Sequence, residues 1–261
     1  MTGRNYILGI MNSHKPVQSL PDGITVIFSD VSDGSIAAGA GNPSSPQHEA
    51  NIVTFLRRYG LDPSGRTKVF VTYGPENTYT NVERVTSENA GAAIVSDALY
   101  TTDTDRLITL PVADCIATVI YDPVAGMMGV LHLGRHASVA GLIETFIIEV
   151  ADTLGSDPRD WHVWMSPSLK KAHDIMEYFD PPNPDHWKDF VERDSEMKIH
   201  IDIDGHNQDR FIRAGVIPEN IIVSPEDTYS DERYYSNRAA NELNLPDRQG
   251  RMMVAAIMTK P

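Results

Sequence analysis

Leu110 to Gly141 reads LPVADCIATVIYDPVAGMMGVLHLGRHASVAG. Behind Pro111-Val112-Ala113-Asp114, the only cysteine, Cys115, leads into Ile116-Ala117-Thr118-Val119-Ile120-Tyr121. This β-branched run predicts a buried strand. Asp122-Pro123 with Ala125-Gly126 signals a turn, and Met127 to His132 predicts the returning strand of a hairpin. A hairpin sets the start of its first strand beside the end of its second. Cys115 and His132 therefore meet at one end, although 17 positions (132 − 115) separate them. After Gly134 the apolar spacing around Val139, Leu142 and Ile143 predicts a helix, whose first turn leaves backbone N–H groups without partners. Such a place can hold a metal, an activated thiol or an anion. The plainer alternative is a buried thiol acting as a small hydrophobe beside a hydrogen-bonded structural histidine.

The chain has 261 residues, enough to bury a large core without staples. Its formal charge is −14 and its sequence pI about 4.9. An acidic surface argues against nucleic acid or an anionic membrane as main partner, and requires a local positive pocket for any anionic substrate. One cysteine excludes an internal disulfide. The opening residues Met1 to Tyr6 show no signal-peptide pattern and no run approaches a membrane span, so the expected location is the cytoplasm.

Taken in order, Tyr6 to Asn12 and Gly23 to Ser29 predict edge strands. Val31 to Pro46 is rich in Gly, Ala, Ser and Pro and predicts a long loop. His48 to Tyr59 has helical spacing, with Gly60 as its stop and Arg57 and Arg58 in the last turn. Lys68 to Thr72 predicts a strand ending at Tyr73-Gly74-Pro75. Gly141 to Leu154 predicts a helix, Trp161 to Met165 a strand, Asp174 to Phe179 a short helix, and DPPNPDHW a Pro-rich connector. His200 to Asp204 predicts a short strand or the start of a helix, Asn207 to Gly215 a helix, Asn220 to Val223 a strand, Thr228 to Arg238 a site-lining loop, and Arg251 to Met258 a closing strand. A boundary near Pro181 would leave too few strands for a second core, so one domain over 1–261 is expected. The irregular alternation predicts an α+β fold: mixed β-sheets with helices on the outer faces. Walker, dinucleotide, GxSxG and HExxH patterns are all missing from the sequence.

The order of these signals resembles the YfiH/YlmD family, laccase-domain proteins associated with purine nucleoside phosphorolysis and adenosine deamination. Asp97-Ala98-Leu99-Tyr100-Thr101 is similar to its ADALVT segment, and Ala113-Asp114-Cys115 with Tyr121-Asp122-Pro123 to its ADCxPVLLYDP. His132-Leu133-Gly134 is similar to the opening of HAGWRG, and Ser166-Pro167-Ser168-Leu169 sits where GPSIGPCCYEV belongs. Ile201-Asp202-Ile203, Arg213 to Val216, Thr228, Tyr234 to Arg238 and Gly250-Arg251 follow in the family's order. The resemblance implies a YfiH-like single domain and a purine nucleoside phosphorylase or adenosine deaminase-like enzyme, with a possible homodimer. It also implies a zinc ion held by a His-Cys-His set. Cys115 and His132 match two of those ligands. The first His is replaced by Tyr73, in Val71-Thr72-Tyr73-Gly74. HAGWRG is altered to His132-Leu133-Gly134-Arg135-His136-Ala137. The Cys-Cys-Tyr-Glu of the later motif is replaced by Ala172-His173-Asp174-Ile175, and Asp227 replaces a cysteine before Thr228.

On this reading Cys115, His132 and Tyr73 are the catalytic candidates, with Cys115 and His132 at the zinc. Thiolate and imidazole suit zinc, which would acidify a bound water for attack on a purine. Phosphorolysis needs instead a held phosphate and a proton for the leaving purine. Arg238, Ser236, Arg135 and His136 are the candidates to bind nucleoside and phosphate. A neutral phenol is a poor ligand. Three readings follow: Tyr73 ionised by the metal, His136 supplied as third ligand, or Cys115 acting alone as a thiolate whose pKa is lowered by His132 and the helix start. The alternative to all three is a diverged member with lost or altered catalysis that binds a nucleoside or a protein partner. The copper chemistry of the laccase label finds no His-x-His pair to carry it.

Overall fold

The structure is a computed structural model and describes residues 20–37, 44–180 and 182–259. The strand expected over Tyr6–Asn12, positions 38–43 of the expected loop and Pro181 lie outside the described residues. In chain order the elements are β1 (Ile24–Phe28), α1 (Pro46–Arg58), β2 (Thr67–Phe70), β3 (Val82–Arg84), β4 (Ala93–Val95), β5 (Ala98–Thr101), β6 (Leu107–Val112), β7 (Ile116–Asp122) and β8 (Met127–Leu133). They continue with α2 (Arg135–Ala140), α3 (Leu142–Leu154), β9 (His162–Met165), β10 (Ile175–Met176), α4 (Pro184–Trp187), β11 (Val191–Arg193), β12 (Ile199–Ile201), α5 (Ile203–Ala214), β13 (Ile221–Val223), α6 (Asn237–Glu242) and β14 (Met252–Met258).

Two large sheets lie face to face. One has the order β13-β9-β7-β8-β5-β3 and the other β1-β14-β6-β2-β4; both mix parallel and antiparallel pairs. The hairpin is buried on both faces, which its continuous apolar runs anticipate. Ala117, Val119, Met128 and Val130 pack into the layer between the sheets, against Leu110, Val254 and Ala256. Ile116, Ile120, Leu131 and Leu133 point the other way, against Phe146 and Val150 of α3 and Phe211 of α5. Ile52, Phe55 and Leu56 of α1 cover the outer face of the second sheet beside Met253 and Ala255. The α+β class with mixed sheets and outer helices is thus observed. Local chemistry sets the helix ends: Ser45 caps α1 in a reciprocal box with His48, Pro46 occupies the first turn, and Gly60 closes it at φ 72°.

Several expectations are corrected. Asp174–Phe179 is not a helix: Ile175–Met176 is β10, paired antiparallel with β12 in a small sheet of order β10-β12-β11. The apolar spacing there is that of a strand held by its neighbours. The Pro-rich connector contains α4, whose Trp187 is fully buried, because prolines at a helix start cost no hydrogen bond. The helix expected to start at Gly141 begins at Leu142; Gly141, left-handed at φ 86°, breaks it from α2. Part of the expected loop forms a short 3-10 turn at Val31–Asp33. The end of the expected 228–238 loop is the first turn of α6. Residues 107–112, unassigned from sequence, form β6 against β14. No described helix is long and apolar enough to cross a membrane.

Beneath α4, His206 and His186 meet Nε2 to Nε2 at 2.8 Å, with His206 buried. Desolvation, then His186 and Arg210, lower the His206 pKa to about 3. The unfolded chain takes a proton on this residue near pH 6.5 and the folded one only near pH 3. Stability should therefore fall as pH drops below about 6.5, by about 1.4 kcal/mol per pH unit from this group. Denaturant melts of wild type and His206→Asn between pH 7 and 4 should show the variant with a shallower slope. Parallel slopes would contradict it.

Candidate active site

The site lies at one end of the layer between the two sheets. In the hairpin register Ile116 pairs with Leu133 and Ala117 with His132, so Cys115 comes diagonally beside His132 as the spacing predicts. Both side chains crowd over Gly134. A Cβ at that position would lie 3.0 Å from Cys115 Sγ and 3.4 Å from His132 Cε1, so a larger residue would have to push the thiol aside by a few tenths of an ångström. Tyr73 comes from the other sheet, beyond β2, and sets its ring edge-on to His132 at 6.2 Å. Its loop is tied down. Asn77 Nδ2 donates to the Thr72 carbonyl and to Asp97 Oδ1, and the Asp97 carbonyl accepts the His132 N–H at 2.9 Å.

These residues adjoin a cleft of about 680 Å³ lined by Tyr73, Cys115, Arg135, Asp174, Arg238 and Arg251. A second groove of about 530 Å³ shares Arg135 and Arg238 and adds Met176 and Tyr178. The arginines differ in how they are held. Arg238 donates to the Ile175 carbonyl at 2.7 Å and Glu242 at 2.9 Å, and lies 3.4 Å from Asp174. Arg135 reaches Met176 Sδ at 3.7 Å, and Arg251 donates to its neighbour's carbonyl at 2.7 Å. Among the described residues neither of these two has a carboxylate within ion-pair distance.

Not every candidate from the sequence faces the cleft. Ser236 is fully buried, and its Oγ accepts the Ala239 N–H at 3.0 Å as the cap of α6. Its hydroxyl is spent on the helix. His136, 40% exposed in its side chain, lies 3.6 Å from Asp180 and against the Tyr79 ring at 4.8 Å, so it is engaged away from Cys115. Three residues that the sequence did not single out belong to the site: Asp114, Asp174 and Arg251. Asp114 and Arg251 lie within quoted segments, Ala113-Asp114-Cys115 and Gly250-Arg251, without being named as site residues. Asp174 lies in the segment Ala172-His173-Asp174-Ile175 read only as a replacement, and the fold of the small sheet brings it to the cleft.

Burial governs the charges. His132, 4% exposed, is pushed down to about 4 by desolvation, with Arg251 adding to it, and its Nδ1 has no hydrogen-bond partner among the described residues. Cys115 is pushed up to about 11, by desolvation first and then by Asp114. Both shifts favour the neutral thiol and the neutral imidazole over the thiolate that one sequence reading allows. Tyr73 is 59% exposed, yet lost hydration where it lines the cleft, with a lesser effect of Cys115, raises its phenol. Asp174 is raised by desolvation, with Arg135 and Arg238 opposing. For a zinc ion, the donors are one thiol, one imidazole and a protonated phenol. Among the described residues no three His, Cys, Asp or Glu side chains are grouped to hold a metal ion. The residues present do not make the expected three-donor set.

A family model described as "Multi-copper polyphenol oxidoreductase laccase" matches residues 50–260. Among curated relatives, "Purine nucleoside phosphorylase YlmD" of Bacillus subtilis is 28% identical over 106 residues, covering 37% of this chain and 38% of the relative. A "Purine nucleoside phosphorylase" of Deinococcus radiodurans is 28% identical over 166 residues, covering 59% and 63%. The matched stretches thus span less than two thirds of these relatives. Among solved structures, the Bacillus licheniformis hypothetical protein YfiH superposes with a TM-score of 0.76 at 19% identity, over 90% of this chain and 93% of that one. YlmD from Geobacillus stearothermophilus gives 0.75 at 17%, over 91% and 93%.

Because Cys115 is the only cysteine, a thiol reagent reports this site alone. Its alkylation rate in metal-free buffer should be slow at pH 8 and still climb above pH 10, with a midpoint near 11 set by burial. A midpoint at or below 8.5 would show an activated thiolate instead.

Proposed function

We propose that this chain, which belongs to the multi-copper polyphenol oxidoreductase laccase family, cleaves purine nucleosides with phosphate in the cleft beside Cys115. The observation that carries the reading is the pair Arg135 and Arg251. Among the described residues neither guanidinium has a carboxylate within ion-pair distance, and both line a cleft of an otherwise acidic chain. Guanidinium groups bind phosphate through charge-assisted, often bidentate hydrogen bonds. Arg238 is already engaged by Glu242 and Asp174, so its part is to shape the wall rather than supply the main anion contact. The names of the curated relatives support the same substrate class.

The chemistry follows from the charges. A phosphate oxygen held by Arg135 and Arg251 attacks the ribose C1′. The C1′–N9 bond breaks, its electron pair moves into the purine, and the departing base takes a proton. Asp174 is the donor within the cleft. Its raised pKa keeps more of the protonated form at neutral pH than an ordinary carboxyl would. The neutral Cys115 and His132 leave the floor uncharged, so the two arginines dominate the field where phosphate binds. No step is routed through a metal. The adenosine deamination that the family resemblance implies requires an activated water, for which Cys115 and His132 alone give too few donors.

The test is phosphorolysis of inosine, adenosine and guanosine by the purified chain. Arg135→Ala and Arg251→Ala should each raise the phosphate KM about tenfold or more, the loss of a charge-assisted contact of about 1.5–3 kcal/mol. Asp174→Asn should lower kcat by about 10²-fold, and dialysis against a chelator should leave the rate unchanged. Nucleoside binding without turnover would overturn the reading and leave a non-catalytic binding protein. Activity restored by zinc after chelation would overturn the metal-free route.

A further inference from the structure

We infer that Asp114 is a positioning residue that holds Cys115 and the start of α6 in one frame. The chain passes from one large sheet to the other here: β6 ends at Val112 and β7 begins at Ile116. Asp114 makes the turn at φ 72°, in the left-handed region. Aspartate tolerates that region better than most residues, but the conformation is still strained. A strained residue next to a site residue persists only when its surroundings over-determine it.

Three contacts do so, each from a distant part of the chain. The Asp114 carbonyl accepts the Leu169 N–H at 2.9 Å. Its Oδ1 accepts the Thr228 hydroxyl at 2.8 Å, and its Oδ2 accepts the Arg238 N–H at 2.8 Å. Arg238 is the second residue of α6, so the carboxylate takes one of the N–H groups the helix leaves open, while Ser236 takes the next. One side chain therefore sets where the neighbouring thiol sits and where α6 carries the Arg238 guanidinium along the cleft wall. Both carboxylate oxygens are occupied by donors. The kinetic part of this inference rests on the phosphorolysis reading; the positional part does not.

Two variants separate position from charge. Thr228→Val removes one anchor and leaves every charge in place. Asp114→Gly relieves the backbone strain and removes both side-chain anchors. Each is compared with wild type by thermal melting, then by Cys115 alkylation at one pH with a small and a bulky reagent. Thr228→Val should speed alkylation about threefold. Asp114→Gly should do so about tenfold or more, most for the bulky reagent, as the thiol leaves its fixed place. If phosphorolysis is present, both variants should lower kcat, by tenfold or more for Asp114→Gly, with nucleoside KM changing less than threefold, as expected when reacting groups shift by a fraction of an ångström. Should Asp114→Gly fail to fold, Thr228→Val and Asp114→Asn, which suits the same backbone, decide the question. Alkylation rates within twofold of wild type in every folded variant would overturn the inference. Changed alkylation in a chain without turnover would support it while sinking phosphorolysis.

Discussion

The structure depends on the burial of one hairpin from both sides. Every residue from Ile116 to Asp122 and from Met127 to Leu133 is buried. Side chains alternate along a strand, so one set feeds the layer between the sheets and the other the layer beneath α3 and α5. A register slip by one residue would exchange the two sets and take Cys115 and His132 off the cleft. The register that places the thiol is thus the register that packs the core.

The same burial decides the chemistry. Removing water from Cys115 and His132 disfavours the charged form of each, and the thiol and imidazole move away from neutrality in opposite directions. Fixed charges then come from the arginines that line the cleft, Arg135, Arg238 and Arg251. Where a guanidinium has carboxylates in reach, as Arg238 does, the cleft is locally closed. Where none lies within ion-pair distance among the described residues, at Arg135 and Arg251, the proposed phosphate contact finds its positive potential. In a chain of net charge −14 that contrast localises the site more sharply than the thiol does.

The family resemblance and the local chemistry complement each other. The altered segments are those from which the resemblance implies the third metal ligand and a flanking aromatic, and His136 is tied to Asp180 and Tyr79. The backbone frame of the site is the hairpin, Gly134 beneath two side chains, and the turn at Asp114. Close approach and left-handed geometry leave few alternatives at such positions.

By itself the sequence determined the hairpin, the meeting of Cys115 with His132, the closing strand and the existence of α1 with Gly60 as its stop, since these follow from periodicity and turn residues within a short window; it missed the start of α1 at Pro46 behind the Ser45 cap. Only the tertiary structure decided that Asp174, just before β10, lines the cleft, that Ser236 is a buried cap and His136 is engaged elsewhere, and that Asp114, Arg135 and Arg251 line the cleft with the thiol. Each of those outcomes depends on which distant group satisfies a hydrogen bond or a charge. Pairings such as Asp114 with Thr228 and Arg238 leave no trace in local pattern, because the partners become neighbours only when the two sheets close on one another.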